Sequence, residues 1–231
     1  SNGKNYSADT YNNKFQVALN KNEFAKIEFN PTFSGLYTIT TQTNVNKVVL
    51  DGNGNILSNS NASNIQIDCE KGSAYYLYLG SVNENMAISV DVDITLLDLL
   101  QANGQEVVGG QSLTFAKTYN IDTIKSISFN SNLEVNVYTE DECIATAYNG
   151  NVDVLFEESK TYFFEIVNNK SESVILSVNV NDVNQLGLGQ QQETELYPNK
   201  RFYSYTSNSN AEYTFSLQWT DNSALLNLVF Y

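Results

Sequence analysis

Histidine is absent from all 231 residues of this chain. That absence removes Ser-His-Asp and Cys-His nucleophile arrangements, and every His-ligated zinc site, in one step. Proline occurs only twice. The two cysteines, Cys69 and Cys143, are too few and too far apart for a zinc cluster. Positive charge is scarce too: 12 Lys and Arg stand against 26 Asp and Glu, a formal net charge of −14. A field of that sign repels phosphate backbones and anionic headgroups, so neither nucleic acid nor a membrane surface is an expected partner. It suits either attraction of cations or the solubility of an exported protein. No apolar run approaches the roughly 18–20 residues that a membrane helix requires. The start, SNGKNYSADTYNNK, lacks the basic and apolar regions of a signal peptide. The expectation is a secreted or cell-surface segment of a longer polypeptide, with its targeting signal elsewhere.

What is present is strand. Hydrophobic residues at 42% and aromatics at 12% are enough for real cores. Apolar residues recur at every second position in NIQIDCE (Ile65, Ile67, Cys69), MAISVDV (Ile88, Val90, Val92) and EYTFSLQW (Tyr213, Phe215, Leu217, Trp219). That period puts them on one face of a strand, and Asn, Gly, Ser and Asp clusters supply the turns between. LLDLLQA (96–102) is the one helical candidate, short and uncapped. The fold class is all-β.

The chain also repeats. A shift of 87 residues lays NIQIDCEKGSAYYLYLG (64–80) on NVDVLFEESKTYFFEIV (151–167), so that Tyr75 meets Tyr162 and Leu79 meets Ile166. Without a gap it carries Val48 to Val135, Leu50 to Val137 and Ile56 to Cys143. One more residue of shift sets Ile88 on Leu176. These matches predict tandem antiparallel β-sandwiches of jelly-roll or immunoglobulin-like type: 1–97, 98–181, and a partial third unit in 182–231. ELYPNKRFYSYT opens that third unit, and Tyr231 falls at the equivalent of Leu50. The expectation is a truncated unit, or strands packed on the second sandwich.

Each repeat controls the other. Cys69 stands where the second has Phe156, and Cys143 where the first has Ile56, so both thiols are expected buried and free. In VVLDGNGNIL (48–57), Asp51, Asn53 and Asn55 alternate as calcium-loop oxygens do. The ungapped shift aligns residues 51–55 with 138–142, where that spacing is lost, and Ile56 would be the first inward residue of the next strand. A hairpin turn is the stronger reading, with a calcium site at Asp51, Asn53 and Asn55 kept open. Tyr76 and Tyr78 should point outward beside inward Tyr75, Leu77 and Leu79, as sugar-stacking residues do. Tyr78 aligns with Glu165, expected to be exposed. Asp91 and Asp93 share a strand face but align with Asn179 and Asn181, the pattern of a solvated surface rather than a glycosidase pair. Trp219 shares parity with Phe215 and Leu217, which suggests core packing.

The V-x-L-D-G-x-G-x-I-L turn at 48–57 and the G-x-x-Y-Y strand at 72–79 resemble the recurrent marks of the bacterial pre-peptidase C-terminal domain, a small β-sandwich. The second repeat keeps the tyrosine strand at Tyr162 and has lost the turn glycines. The resemblance implies a non-catalytic accessory of exported bacterial proteins, and some related collagen-binding domains bind calcium and matrix. It supports an accessory, adhesion or spacer module with no enzymatic role, whose partner is an extracellular protein, matrix component or glycan. The alternative is a carbohydrate-binding module using Tyr76 and Tyr78, with calcium as its only candidate cofactor. A glycosidase-like enzyme using paired carboxylates is the remote one.

Overall fold

A computed structural model gives the architecture. It describes residues 3–10, 13–80, 83–140, 142–193, 200–218 and 228–230. Nine strands build the first sandwich: β1 (Gly3–Thr10), β2 (Asn13–Leu19), β3 (Phe24–Pro31), β4 (Gly35–Thr41), β5 (Asn46–Asp51), β6 (Ile56–Ser60), β7 (Asn64–Cys69), β8 (Tyr75–Gly80) and β9 (Met86–Thr95). They form a five-stranded sheet ordered β1-β3-β8-β5-β6 and a four-stranded sheet ordered β2-β9-β4-β7. Period-two alternation sends Ile27, Phe29, Val49, Leu77 and Leu79 from one sheet, and Ile39, Ile65, Ile67, Val90 and Val92 from the other, into a common core.

The second sandwich comprises β10 (Leu97–Asp98), β11 (Glu106–Val107), β12 (Ser112–Thr118), β13 (Thr123–Ser128), β14 (Glu134–Tyr138), β15 (Cys143–Thr146), β16 (Asn151–Phe156), β17 (Thr161–Val167), β18 (Val174–Ile175) and β19 (Asn179–Asp182). Its five-stranded sheet, β10-β12-β17-β14-β15, copies the order of the first, including a parallel outer pair: β10 on β12, as β1 on β3. The opposite sheet is split into β16-β13-β19 and β11-β18, so the continuous β9 of the first unit is broken in the second. The expected tandem β-sandwich class is therefore present. The helical candidate reduces to β10 and one 3₁₀ turn at Leu99–Gln101, capped by Asp98, which accepts from the Leu100 amide at 2.8 Å.

Strand pairing corrects the repeat register. Val49 pairs with Leu77, and Val137 with Phe164, so the offset through β5 and β14 is 88 rather than 87. Lys47, not Val48, corresponds to Val135, and Leu50 corresponds to Tyr138. The missing residue is absorbed in the hairpin: the Asp51 amide bonds to Asn55 O, four residues on, whereas the Thr139 amide bonds to Glu142 O, three residues on. An ungapped shift fails there because turn length, not the strand pattern, took up the deletion.

Two burial expectations fall with it. Ile56 is 65% exposed, and Cys143 is exposed and free, while Cys69 is buried and free. Both outliers begin edge strands, β6 and β15, whose side chains are only partly covered. The most unusual core member is Lys47, wholly buried in a position the register reserves for valine. Its ammonium donates to Thr41 Oγ1 at 2.9 Å and to Val45 O at 3.2 Å, both neutral acceptors, and burial lowers its pKa.

Beyond β19, the chain returns to the second sandwich. Phe202 N donates to Asp153 Oδ2 at 3.0 Å, Arg201 Nε lies 3.5 Å from the same oxygen, and Gln185 bridges Ser204 in parallel. Trp219 lies outside the described residues. No helix among those described is long and apolar enough to cross a membrane.

Candidate functional site: the junction between the sandwiches

The largest concentration of buried chemistry lies where the first sandwich meets the second. Strand β17 reads TYFFEIV, and its five central residues are all buried, so both of its faces are covered. One face looks into its own core. The other carries Phe163 and Glu165 beneath the loops that enter β4 and β8 of the first unit. Phe33 stacks on Phe163 with ring centroids 4.8 Å apart and meets Tyr138 edge-on at 5.8 Å, geometries that aromatic pairs favour. Tyr37 fixes that loop: its hydroxyl donates to Phe33 O at 3.0 Å.

Beside the aromatic contact lies an ionic one. Lys71 Nζ is 2.8 Å from Glu165 Oε2 and donates to Tyr138 Oη at 3.3 Å, and Tyr138 donates on to Glu165 Oε2 at 3.2 Å. Burial opposes the charge on Lys71, but these bonds outweigh it and hold the ammonium above its ordinary value. Ser34 Oγ accepts from the Lys71 amide at 3.0 Å and lies 2.9 Å from Ser112 Oγ. A cleft of about 590 Å³, lined by Ser34, Lys71, Gly110, Ser112, Glu165 and Val167 among others, opens at this seam. Glu165 was expected to be exposed and is 4% exposed. Three consecutive aromatics, Tyr162–Phe164, hint that both faces of the strand are covered, but not what covers the outer one.

Tyr76 and Tyr78 do occupy the outward face of β8, both half-buried. Lys26 Nζ sits 3.9 Å from the Tyr76 ring centre, and Phe24 lies 6.2 Å from Tyr78. Val48 and Leu50 of β5 pair with them across the ladder.

The Asp51, Asn53 and Asn55 stretch is a hairpin turn. Asp51 Oδ1 accepts from the amides of Asn53 (2.9 Å) and Asn55 (2.8 Å), and Oδ2 from the Asn55 side chain at 2.8 Å. The Asn55 bonds lead in holding the Asp51 carboxyl below the usual range. Gly54 takes φ 86°, which glycine adopts without a Cβ penalty. Among the described residues no three His, Cys, Asp or Glu side chains gather as a metal site would require.

On the opposite sheet, Lys14 Nζ is 3.1 Å from Asp91 Oδ2, in a shallow cavity of about 470 Å³. Burial first, then Asp91, raises the neighbouring Asp93 carboxyl. Cys69 is inert: burial pushes its thiol up to about 12, leaving almost no thiolate at neutral pH.

No family model matches the chain, and no curated protein matches it in sequence. Among solved structures, the CUB1-EGF-CUB2 domains of rat MASP-1 align over 75% of this chain and 99% of that one, at 5% identity and a TM-score of 0.31. Lac15 from a marine microbial metagenome aligns over 77% of this chain at 8% identity and a TM-score of 0.25, and the chain spans 55% of its length. At such values neither alignment adds to what the sheet orders define.

Proposed function

We propose that this chain is a rigid tandem β-sandwich, an accessory or spacer module of a secreted or cell-surface bacterial protein, with no catalytic residues of its own. One observation carries the reading. The most elaborate buried network, from Phe33 and Phe163 to Lys71, Glu165 and Tyr138, joins one sandwich to the next. Two units tied by a few rim contacts would swivel, whereas a stacked ring pair and a buried carboxylate fix an angle. A net charge of −14 suits an exported surface. The turn at 48–57 and the strand at 72–79 support a sandwich of the pre-peptidase C-terminal type.

Residual dipolar couplings test the rigidity. One alignment tensor should fit amides of both sandwiches in dilute solution. Two clearly different tensors would sink the spacer reading, and hydrolysis abolished by mutating a single acid would sink its non-catalytic part.

A second reading is glycan binding at Tyr76 and Tyr78, favoured by two half-exposed rings on one sheet face. Glycan-array signal should then vanish in Tyr76→Ala/Tyr78→Ala, and its survival would remove the site. A calcium component at Asp51 would have to displace three hydrogen bonds that its own loop supplies.

A further inference from the structure

The internal junction has two halves, and each half has an uncovered counterpart at the far end of the molecule. One half is the tip of the first sandwich: Phe33, Ser34 and Lys71. The other is the outward face of the second: Phe163, Glu165 and Tyr138. With the corrected register, Ile27 and Phe115 occupy the same place, an offset of 88, and Leu77 and Phe164 the same place, an offset of 87. Phe33 then corresponds to Ile121, Ser34 to Asp122 and Lys71 to Glu158. Tyr76 corresponds to Phe163, Tyr78 to Glu165, Leu50 to Tyr138 and Lys26 to Thr114.

Hydrogen bonds corroborate the equivalence. Ser34 Oγ accepts from the Lys71 amide at 3.0 Å, and Asp122 Oδ1 from the Glu158 amide at 2.6 Å. The Glu70 amide donates to Tyr75 Oη at 2.8 Å, and the Glu157 amide to Tyr162 Oη at 3.1 Å. The two tips are therefore built alike, although one is buried and the other is not. Phe33 is 2% exposed, whereas Ile121 is 66% exposed. Likewise Phe163 is fully buried, while its counterpart Tyr76 is half-exposed.

We propose that the Tyr76–Tyr78 face docks the Ile121 tip of a second copy of this chain, head to tail, repeating the internal junction between molecules. Ile121 takes the place of Phe33 and sits on Tyr76 and Leu50, the places of Phe163 and Tyr138. An ion pair of exchanged sign is available one strand over, at Lys26, which pairs with Tyr78 across the ladder. Inside the molecule the tip brings Lys71 to the face's Glu165. Between molecules the tip brings Glu158 to a face that offers Lys26, already poised over Tyr76, and the Tyr78 hydroxyl. Complementary charge, Glu158 in the place of Lys71 and Lys26 on the strand next to the place of Glu165, selects this occupant over an arbitrary apolar surface. Two features are not reproduced: Leu50 has no hydroxyl to replace the Tyr138 bonds to Lys71 and Glu165, and Asp122 faces Phe24 where Ser34 faces Ser112, its carboxylate remaining with the Glu158 amide. A tip and a face on different sandwiches make a heterologous contact, which each added molecule leaves open for the next, so the product is a head-to-tail chain of units. The proposal rests on the spacer reading and names its partner.

Affinity is modest, because the internal copy gains from its short linker while the external one must meet in solution. Repulsion between chains of charge −14 is largely screened at 0.15 M salt, where the Debye length is about 8 Å. Sedimentation velocity at protein concentrations up to about 1 mM is the test. Wild type should show concentration-dependent, open-ended association. Ile121→Asp should abolish it, and because the side chain is exposed the fold, checked by circular dichroism, should be retained. Lys26→Glu and Glu158→Lys should each weaken it by about tenfold. The pair Lys26→Glu/Glu158→Lys, which restores both net charge and complementarity, should recover it. A monomer throughout, association untouched by Ile121→Asp, no recovery in the double variant, or a glycan held at Tyr76 and Tyr78 without self-association would each overturn the docking. None of these bears on the single alignment tensor, so the spacer reading stands or falls separately.

Discussion

Phe33→Ala should convert one cooperative unfolding transition into two. Phe33 is 2% exposed, although it sits on a loop, because its ring is shared between the sandwiches: the first unit's core cluster includes both Phe33 and the second unit's Phe163. Truncation removes the 4.8 Å stack on Phe163 and the edge contact with Tyr138 and leaves a cavity at the seam. Phe-to-Ala changes in packed sites cost about 3–5 kcal/mol, and here most of that loss falls on the coupling between units. Calorimetry of the wild type should give a calorimetric enthalpy close to the van't Hoff value, and the variant should show two resolved components. A cycle with Phe163→Ala separates coupling from general damage. The two losses should fall short of additivity by about 0.5–1.5 kcal/mol if the rings stabilise one another. A single transition in Phe33→Ala with additive losses would show that the junction does not couple the units.

Alternation made the cores legible. Ile65, Ile67, Cys69, Ile88, Val90 and Val92 were readable as inward residues, and all six are buried. Repetition was legible because a fold used twice repeats its inward pattern. The junction was not, since a sequence that alternates on one face says nothing about what covers the other. Glu165 looks like any outward carboxylate until Lys71, 94 residues earlier, is brought to it. Asp153 was hidden in the same way: it points outward between Val152 and Val154, yet is buried by the segment carrying Arg201 and Phe202. The edge strands erred in the opposite sense. A β-bulge in each hairpin breaks strand parity: Ile56 pairs with outward Leu50 and Cys143 with outward Tyr138, so both face away from the core.

Lys47→Met should make the protein more stable. The register gives Lys47 the place that Val135 holds in the second unit, inward and between strands, and its ammonium is wholly out of water. An ammonium there keeps two neutral hydrogen bonds in place of full hydration, and among the described residues no carboxylate accepts from it. Methionine has a similar stem and flexible packing, so it fills the space without the charge. Thr41 Oγ1 is not stranded, because it also donates to Thr43 O at 2.8 Å. The expected gain is about 1–3 kcal/mol at pH 7, within the range of about 1–4 kcal/mol seen when buried ion pairs give way to packed apolar residues. The pH dependence fixes the cause. Burial lowers the folded-state pKa of Lys47, so the charged form is the destabilising one. The penalty is complete below that folded value and disappears as pH rises towards about 10.4, the unfolded value. Lys71, whose folded pKa is raised, contributes with the opposite sign: its stabilisation is present below about 10.4 and is lost only above it. Urea unfolding at pH 7 and pH 9.5 should therefore show the advantage of Lys47→Met shrinking at the higher pH while the Lys71 contribution is unchanged. A variant less stable than wild type at pH 7, or a difference that does not vary with pH, would mean that Lys47 is held for its hydrogen bonds rather than tolerated at the cost of its charge.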